Sequence, residues 1–379
     1  MTVSWLTPAH APPQPDHGKF IVTRYADILA LLRHPDIVAW ELWLDIQRLG
    51  HRAGRDYSAL TDLLRTMLPN QNGEEHAKAR SVGRQALLLL APAFAPERVA
   101  KMIDEHLRAA RAAGRVEAME SLCRAIPTAV MTAALGLSPS CMSAIRRASI
   151  RIFAVYDPGL SVRLLDSIDE DARAAQSELM GDLERARRDP GMGLSRLLTF
   201  IDAGFDTRAL TGLIFFLVLA GIETVTGLLG SMTLLLLQFP DQWQRLVADP
   251  GLGSRCAEEA IRFAGPVRWL APRIARQPVM LGGVNLPAGA IIMPELEQAH
   301  HDPEAFAQPD KFDIMREGPP HMGFAIGAHA CLGASLGRLQ ARTFLQALLH
   351  AGPIAGAQDP LWEKHSMFRR LTRLELQFT

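Results

Sequence analysis

Phe324-Ala325-Ile326-Gly327-Ala328-His329-Ala330-Cys331-Leu332-Gly333 is the segment that decides how this chain is read. It sets a cysteine where a glycine-bearing loop enters a stretch with helical periodicity, from about Cys331 to His350. The positive end of a helix and its free N–H groups favour thiolate over thiol. Gly327 and Gly333 allow the backbone to approach a flat partner closely. Phe324 is placed to cover the sulfur and keep water away. The plain alternative is an unreactive buried cysteine ahead of a helix, which is the commoner fate of a lone cysteine.

Working outward, residues 300–328 contain Pro303, Pro309, Gly318, Pro319, Pro320, Gly323 and Gly327, which predicts a long irregular segment feeding the cysteine loop. Long ordered loops are usually functional. Between Trp269 and Pro294, short apolar runs broken by Gly282, Gly283, Pro287 and Gly289 predict small strands and hairpins. Leu210 to Phe239 is almost continuously apolar and long enough to cross a bilayer. Glu223 and Thr224 interrupt it, and a carboxylate is costly in lipid, so it reads as a buried core helix with Asp206 as its N-cap. Helical patterns also cover Glu74–Leu90, Pro96–Ala113 with Pro96 in the first turn, and residues 117–135, 140–155 and 160–188. Shorter helices are read at Asp241–Ala248 and Ser254–Phe263. Phe20–Leu32 reads as a strand followed by a helix, and Phe368–Phe378 alternates like an edge strand. Residues 40–72 show no clean period, and residues 1–19 read as irregular. The sum is a single mainly α domain over 1–379 with a minor β part.

With 40 basic and 40 acidic residues among 379, the chain lacks the basic excess of a nucleic-acid binder. Its four cysteines, Cys123, Cys141, Cys256 and Cys331, form no C-x-x-C pair, which argues against zinc or iron–sulfur sites and for a reduced, cytoplasmic protein. No signal-peptide pattern and no G-x-G-x-x-G dinucleotide loop after a strand is present.

The cysteine segment resembles the haem-binding loop of the cytochrome P450 family, Phe-x-x-Gly-x-His/Arg-x-Cys-x-Gly. Further segments match in the family's order. Ala220-Gly221-Ile222-Glu223-Thr224 resembles the oxygen-activation motif of its long central helix, and Glu259-Ala-Ile-Arg262 its Glu-x-x-Arg pair. Asp302-Pro303, Phe306, Pro309, Phe312-Asp313 and Arg316 resemble the stretch before the cysteine, and Glu75-His76 with Arg80 a haem-facing helix. The likeness covers nearly the whole chain.

The resemblance implies the family's mainly α fold, with haem b between the long central helix and the cysteine loop. It implies Cys331 as the thiolate ligand, which pushes electron density onto iron and favours O–O cleavage. Glu223 and Thr224 would be the acid–alcohol pair that delivers protons. His76, Arg80, Arg273 and His329 would hold the propionates, with Ala220, Phe324, Gly327 and Gly333 against the haem. Glu259 and Arg262 would be structural, joined by Arg316 or His321. The substrate pocket would include Phe216, Leu219, Trp269 and Leu270, roofed by the region of Trp40, Trp43 and Tyr57. The implied reaction inserts one atom of O2 into a small organic substrate, or couples or desaturates it. Electrons would come from a ferredoxin and its reductase, steered by Lys78, Arg84, Arg338 and Arg342. A carrier protein could present the substrate. The rival readings are a peroxide-driven haem-thiolate enzyme, a non-catalytic haem sensor and a membrane protein without haem.

The chain departs from the family pattern in its short segment before Phe20. Ala299-His300-His301-Asp302-Pro303 stands where Ala-Asn-Arg-Asp-Pro is frequent, and Ala325 where a glycine is usual. Gly337 and Gln340 replace a frequent alanine and glutamate. These differences suggest a divergent branch devoted to a specialised metabolite.

Overall fold

The apolar run folds as one helix, Thr207–Gln238. Asp206 caps it, its Oδ1 accepting the Ala209 N–H at 2.8 Å. The most apolar window of this helix is 78% buried within the protein, as expected of a core helix. From Leu210 to Leu236 every residue is buried except Phe216, Ala220, Gly221 and Thr224, which are partly exposed and recur at helical spacing along one stripe.

The computed structural model describes residues 14–16, 19–156, 160–356, 358–362 and 367–378. They group into two compact units, and the boundary within the long helix falls between Glu223 and Thr224.

The unit of residues 41–98 and 128–223 is helical. Its helices Gly73–Leu90, Pro139–Ile152 and Val162–Arg188 lie close to the predicted spans. Residues 40–72, where no period was legible, hold two further helices, Leu42–Ala53 and Ser58–Thr66. Buried polar contacts tie them down. The Leu60 N–H donates to Asp169 Oδ1 at 2.8 Å, and the Tyr156 hydroxyl to Asn70 Oδ1 at 2.8 Å. Tyr57 is a core residue of this unit, its hydroxyl donating to Asp166 Oδ1 at 3.1 Å.

The unit of residues 1–40, 99–127 and 224–379 carries the sheets and the cysteine loop. Its largest sheet has five strands in the order Gln14–Asp16, Lys19–Val22, Ile291–Pro294, Arg273–Ala275 and Ile37–Ala39. Only Lys19–Val22 and Ile291–Pro294 run parallel. Val22, Ile28, Leu31, Ile37, Ile292, Leu296 and Met322 form its core. Gly282 and Gly283, with φ of 56° and 82°, make the two-residue turn between Val279–Leu281 and Val284–Leu286.

Three expectations are corrected. Residues 14–16 and 19 are not irregular, because the strand Gln14–Asp16 pairs antiparallel with Lys19–Val22; residues 1–13 and 17–18 lie outside the described residues. The last strand is not an edge: Glu375–Phe378 lies between Arg115–Glu117 and Ile354–Gly356. Within 117–135, Met119–Arg124 is a π-helical turn preceding the α-helix Ala125–Leu135.

Gly212 marks a close helix–helix approach, since a Cβ there would meet Thr66 Oγ1 at 1.7 Å and Thr66 Cβ at 2.5 Å. Gly212→Ala should therefore destabilise by up to about 2 kcal/mol, an overpacking cost of about 1–3 kcal/mol less the ~1 kcal/mol gain in helix propensity. Denaturant midpoints measure this, and a variant as stable as the parent would contradict the packing argument.

Candidate active site

The cysteine loop leaves its irregular approach at Met322 and closes on itself. The Cys331 N–H donates to the Phe324 carbonyl at 2.8 Å, and the Ala330 N–H to the Gly327 carbonyl at 3.1 Å. The following helix, Ala334–Ala351, begins three residues after the cysteine. A Cβ on Gly333 would lie 4.0 Å from Cys331 Sγ, which puts the sulfur at that helix's N-terminal end. Gly327 adopts φ 71°, and a Cβ there would come within 3.2 Å of the Leu32 carbonyl. Cys331 is exposed, whereas Cys123, Cys141 and Cys256 are buried. Burial pushes those three thiols up, Cys256 to about 12, so they are inert.

Glu259 and Arg262 lie one turn apart on the helix Gly253–Ala264, both buried. Arg262 donates Nε to Glu259 Oε2 at 2.8 Å and Nη2 to Oε1 at 2.9 Å. Arg316 Nε donates to the same Oε1 at 3.0 Å, as does the Asp313 N–H at 3.1 Å. Of the two candidates for the third member, Arg316 therefore contacts Glu259, and His321 contacts Glu258 instead, at 3.0 Å. The remaining guanidinium donors reach carbonyls of the irregular segment: Arg262 those of His300, Pro309 and Lys311, and Arg316 those of Ala307, Gln308 and Lys311.

On the long helix, Phe216, Ala220 and Thr224 belong to the partly exposed stripe. Glu223 and Leu219 are buried. His76 is buried and Arg80 half-buried on Gly73–Leu90. Arg273 is buried at the start of its strand, its Nη1 donating to the Ala271 carbonyl at 3.2 Å. His329 ends a 3-10 turn in the cysteine loop. Trp269 and Leu270 are partly exposed, and the Leu270 N–H donates to the Pro294 carbonyl at 3.0 Å. Trp40 stacks with Lys19, its ring centroid 6.0 Å from Nζ, and Trp43 with Arg65 at 5.5 Å. All four basic residues read as steering charges, Lys78, Arg84, Arg338 and Arg342, are exposed, and Arg338 is also engaged by Glu258.

Sequence reading missed three groups near these residues. Glu258 has no motif of its own. Glu295, bridged to Trp269 in a short antiparallel contact, is pushed up to about 7 by burial, against the Arg268 charge and the Gln298 hydrogen bond. Glu297 accepts from both Arg268 and Arg369. The run Glu295-Leu-Glu297, directly after an apolar strand, was the available signal.

The donor set suits a haem. An exposed cysteine sits at a helix N-terminus beside Gly333, its N–H on the Phe324 carbonyl, and an otherwise buried helix bears one open stripe ending at Thr224. The fold is that of a solved structure of P450BioI in complex with a hexadec-9Z-enoic acid-ligated acyl carrier protein, with TM-score 0.87, 23% identity, and 97% of this chain and 95% of that one covered. A family model, Cytochrome P450, matches residues 252–351. Among curated relatives, Cytochrome P450 monooxygenase PikC of Streptomyces venezuelae is 33% identical over 295 residues, 74% of this chain and 68% of its own. Vitamin D(3) 25-hydroxylase of Pseudonocardia autotrophica is 29% identical over 377 residues, 95% and 88%. The chain belongs to the cytochrome P450 family and is a bacterial-type P450 monooxygenase.

Two predictions follow from the loop and its support. Ala325 has φ 49°, a left-handed backbone, at the position where the family usually has glycine. Ala325→Gly should stabilise by about 1 kcal/mol, the relief of left-handed strain less the greater chain entropy of glycine; an unchanged or lowered thermal midpoint would contradict it. His300 Nε2 accepts the Met322 N–H at 2.8 Å, so its proton sits on Nδ1. Burial, with the charges of His321, Arg262 and His301 adding, holds its pKa well below the ordinary value. Below pH ~6.5 the unfolded chain binds a proton that the folded chain does not, so stability falls on acidification by up to about 1.4 kcal/mol per pH unit. His300→Gln should flatten this slope between pH 7 and 5 in denaturant titrations; an equally steep slope would refute the assignment.

Proposed function

We propose that the chain binds haem b through Cys331 and inserts one atom of O2 into a small organic substrate, with electrons from an external ferredoxin and its reductase. The observation that carries this reading is the single exposed thiol among four, seated at a helix N-terminus beside Phe324. When bound, the haem supplies dioxygen activation, which thiolate ligation favours. The chain's own residues then have separable tasks. Cys331 provides the thiolate, and Phe324 keeps water from its sulfur. Gly327 and Gly333 leave room for the macrocycle. His76, Arg80, Arg273 and His329 hold the propionates by charge-assisted hydrogen bonds. The Thr224 hydroxyl passes protons to the reacting oxygen, and the Glu223 carboxyl replenishes them from solvent. Phe216, Ala220, Trp269 and Leu270 shape the substrate's surroundings.

The mostly buried central helix supports a cytoplasmic enzyme over a membrane-spanning one. The divergent His300-His301 and Ala325 support a branch serving a specialised metabolite. The P450BioI structure, which holds a hexadec-9Z-enoic acid-ligated acyl carrier protein, supports a carrier-bound substrate as one form this enzyme takes. Glu223 and Thr224 favour a redox-driven cycle over a peroxide-driven one, because an acid–alcohol pair is needed where protons must be delivered.

The ferrous carbon monoxide difference spectrum of the purified protein tests this, with Cys331→Ala beside it. A strongly red-shifted Soret band, lost in the variant, is the expected result. A band typical of histidine-ligated haem, or no haem at all, would overturn the proposal.

A further inference from the structure

Glu258 and Glu259 are neighbours on one helix, yet they hold different arginines. Glu258 takes Arg338 in a fork: Nε donates to Oε1 at 2.7 Å and Nη2 to Oε2 at 2.8 Å. The Gly323 N–H donates to His321 Nδ1 at 3.1 Å, which leaves the ring proton on Nε2, pointing at Glu258 Oε2 3.0 Å away. Burial works to raise the Glu258 pKa, but the hydrogen bonds from Arg338 and His321 override it and hold the carboxyl down to about 2.

The other side of this cluster is Phe324. The Arg338 guanidinium lies 4.4 Å from its ring centroid, and the His321 ring 5.7 Å from it at a 50° tilt. A Cβ on Gly337 would reach the same ring at 3.7 Å, so the phenyl ring also rests on the first turns of the cysteine helix. Gly323 runs tightly against the helix Gly253–Ala264, where a Cβ would meet Ile261 Cγ2 at 2.4 Å. Arg338 stands on the second turn of the helix Ala334–Ala351, whose N-terminal end holds the Cys331 sulfur.

We infer that Arg338 is a positioning residue for the cysteine loop: Glu258 fixes its guanidinium on Phe324, and the ion pair sets both the seat of that ring and the net charge felt by the Cys331 sulfur. The inference rests on the haem-thiolate reading above. It also gives Arg338 a task other than steering a redox partner, since its charge is already matched within the chain. Arg338 and Glu258 side chains are 46% and 40% exposed, and an ion pair so exposed contributes little to global stability. Its effect belongs in the electronic properties of the site rather than in the unfolding midpoint.

The test compares haem-loaded Glu258→Gln, Arg338→Gln, Arg338→Lys and the double variant Glu258→Gln/Arg338→Gln with the parent, and uses Arg342→Gln as an exposed control. The readouts are the midpoint potential, the rate at which the carbon monoxide complex loses its red-shifted band under mild denaturant, and the unfolding midpoint. Glu258→Gln leaves the Arg338 charge unmatched and should move the potential positive. Arg338→Gln should move it negative, and the double variant should return towards the parent. Arg338→Lys keeps the charge but loses the fork and the stacking, so its potential should stay near the parent. The red-shifted band should decay several-fold faster in all variants that lack the guanidinium, and Arg342→Gln should match the parent in every readout. Potentials unchanged in both single variants, or shifted in the same direction with unfolding midpoints falling in step, would overturn the inference. Failure of the haem-thiolate reading itself would show separately, as a parent protein with no red-shifted band.

Discussion

The Glu259 carboxylate is the constraint on which the cysteine loop depends. It is buried, and it accepts four hydrogen bonds: two from Arg262, one from Arg316 and one from the Asp313 amide. A lone buried carboxylate would be expensive, and two arginines with one carboxylate leave a positive charge inside the protein. The carbonyls of residues 300–311 absorb that excess. A segment without regular structure has no ladder to satisfy its own carbonyls, and buried backbone groups need partners. Arg262 serves as that partner for the His300 carbonyl and for the partly buried Pro309 and Lys311 carbonyls, and Arg316 adds bonds to Ala307, Gln308 and Lys311 on the solvent side. The charge cost of the arginines and the hydrogen-bond need of the loop thus offset one another.

Once the segment is held, its exit is determined. Met322 enters the sheet core beside Ile292 and Leu296, and its N–H is received by His300. Gly323 passes tightly against Ile261, and Ala325 turns the chain through a left-handed conformation. The loop then closes from Cys331 back to Phe324. Each step fixes the next, so the sulfur's place at the start of the cysteine helix is the end of a chain of contacts that begins on the helix Gly253–Ala264. The adjacent Glu258 repeats the device at smaller scale, drawing the cysteine helix and His321 to the same point.

What could be read from the sequence follows from how locally each feature is encoded. The long helix was legible because its apolar run, cap and terminal proline are contiguous. The cysteine loop was legible because glycine, cysteine and phenylalanine have narrow roles at fixed offsets. Leu42–Ala53 was not, because its buried stripe is Leu42, Ile46 and Gly50. The third position had to be small: a Cβ there would meet the Arg55 carbonyl at 2.9 Å and the Tyr57 ring at 3.0 Å. A glycine in the core stripe erases the period that identifies the helix. Glu375–Phe378 alternates as an edge strand would, and only partners distant in sequence make it central. The choice between Arg316 and His321 was likewise undecidable, since both lie in one proline-rich segment and only its path in space sends one to Glu259 and the other to Glu258. Tyr57 looked like a roof over the site because aromatic residues in irregular stretches have no periodic partner. Its buried ring, with the hydroxyl on Asp166, shows a helix-packing task.

Two of the departures from the family pattern, His300 and His301, lie in the segment that leads to the cysteine loop. His300 accepts the Met322 N–H through one ring nitrogen, a bond that a side-chain amide oxygen could also accept. His301 is a different case. Its Nε2 faces the Phe263 carbonyl at 2.9 Å and its Nδ1 faces Asp310 at 3.0 Å. Both partners are acceptors, so a neutral ring, with one N–H, makes only one of these bonds. An arginine at that position would donate to both at any physiological pH. Burial holds the His301 pKa down, which favours the neutral form, and the carbonyl is the buried partner whereas Asp310 is exposed to water. The proton therefore belongs on Nε2, and the Asp310 arm is the one that slackens. The outer edge of the irregular segment is therefore looser at His301, while its inner edge stays on Glu259.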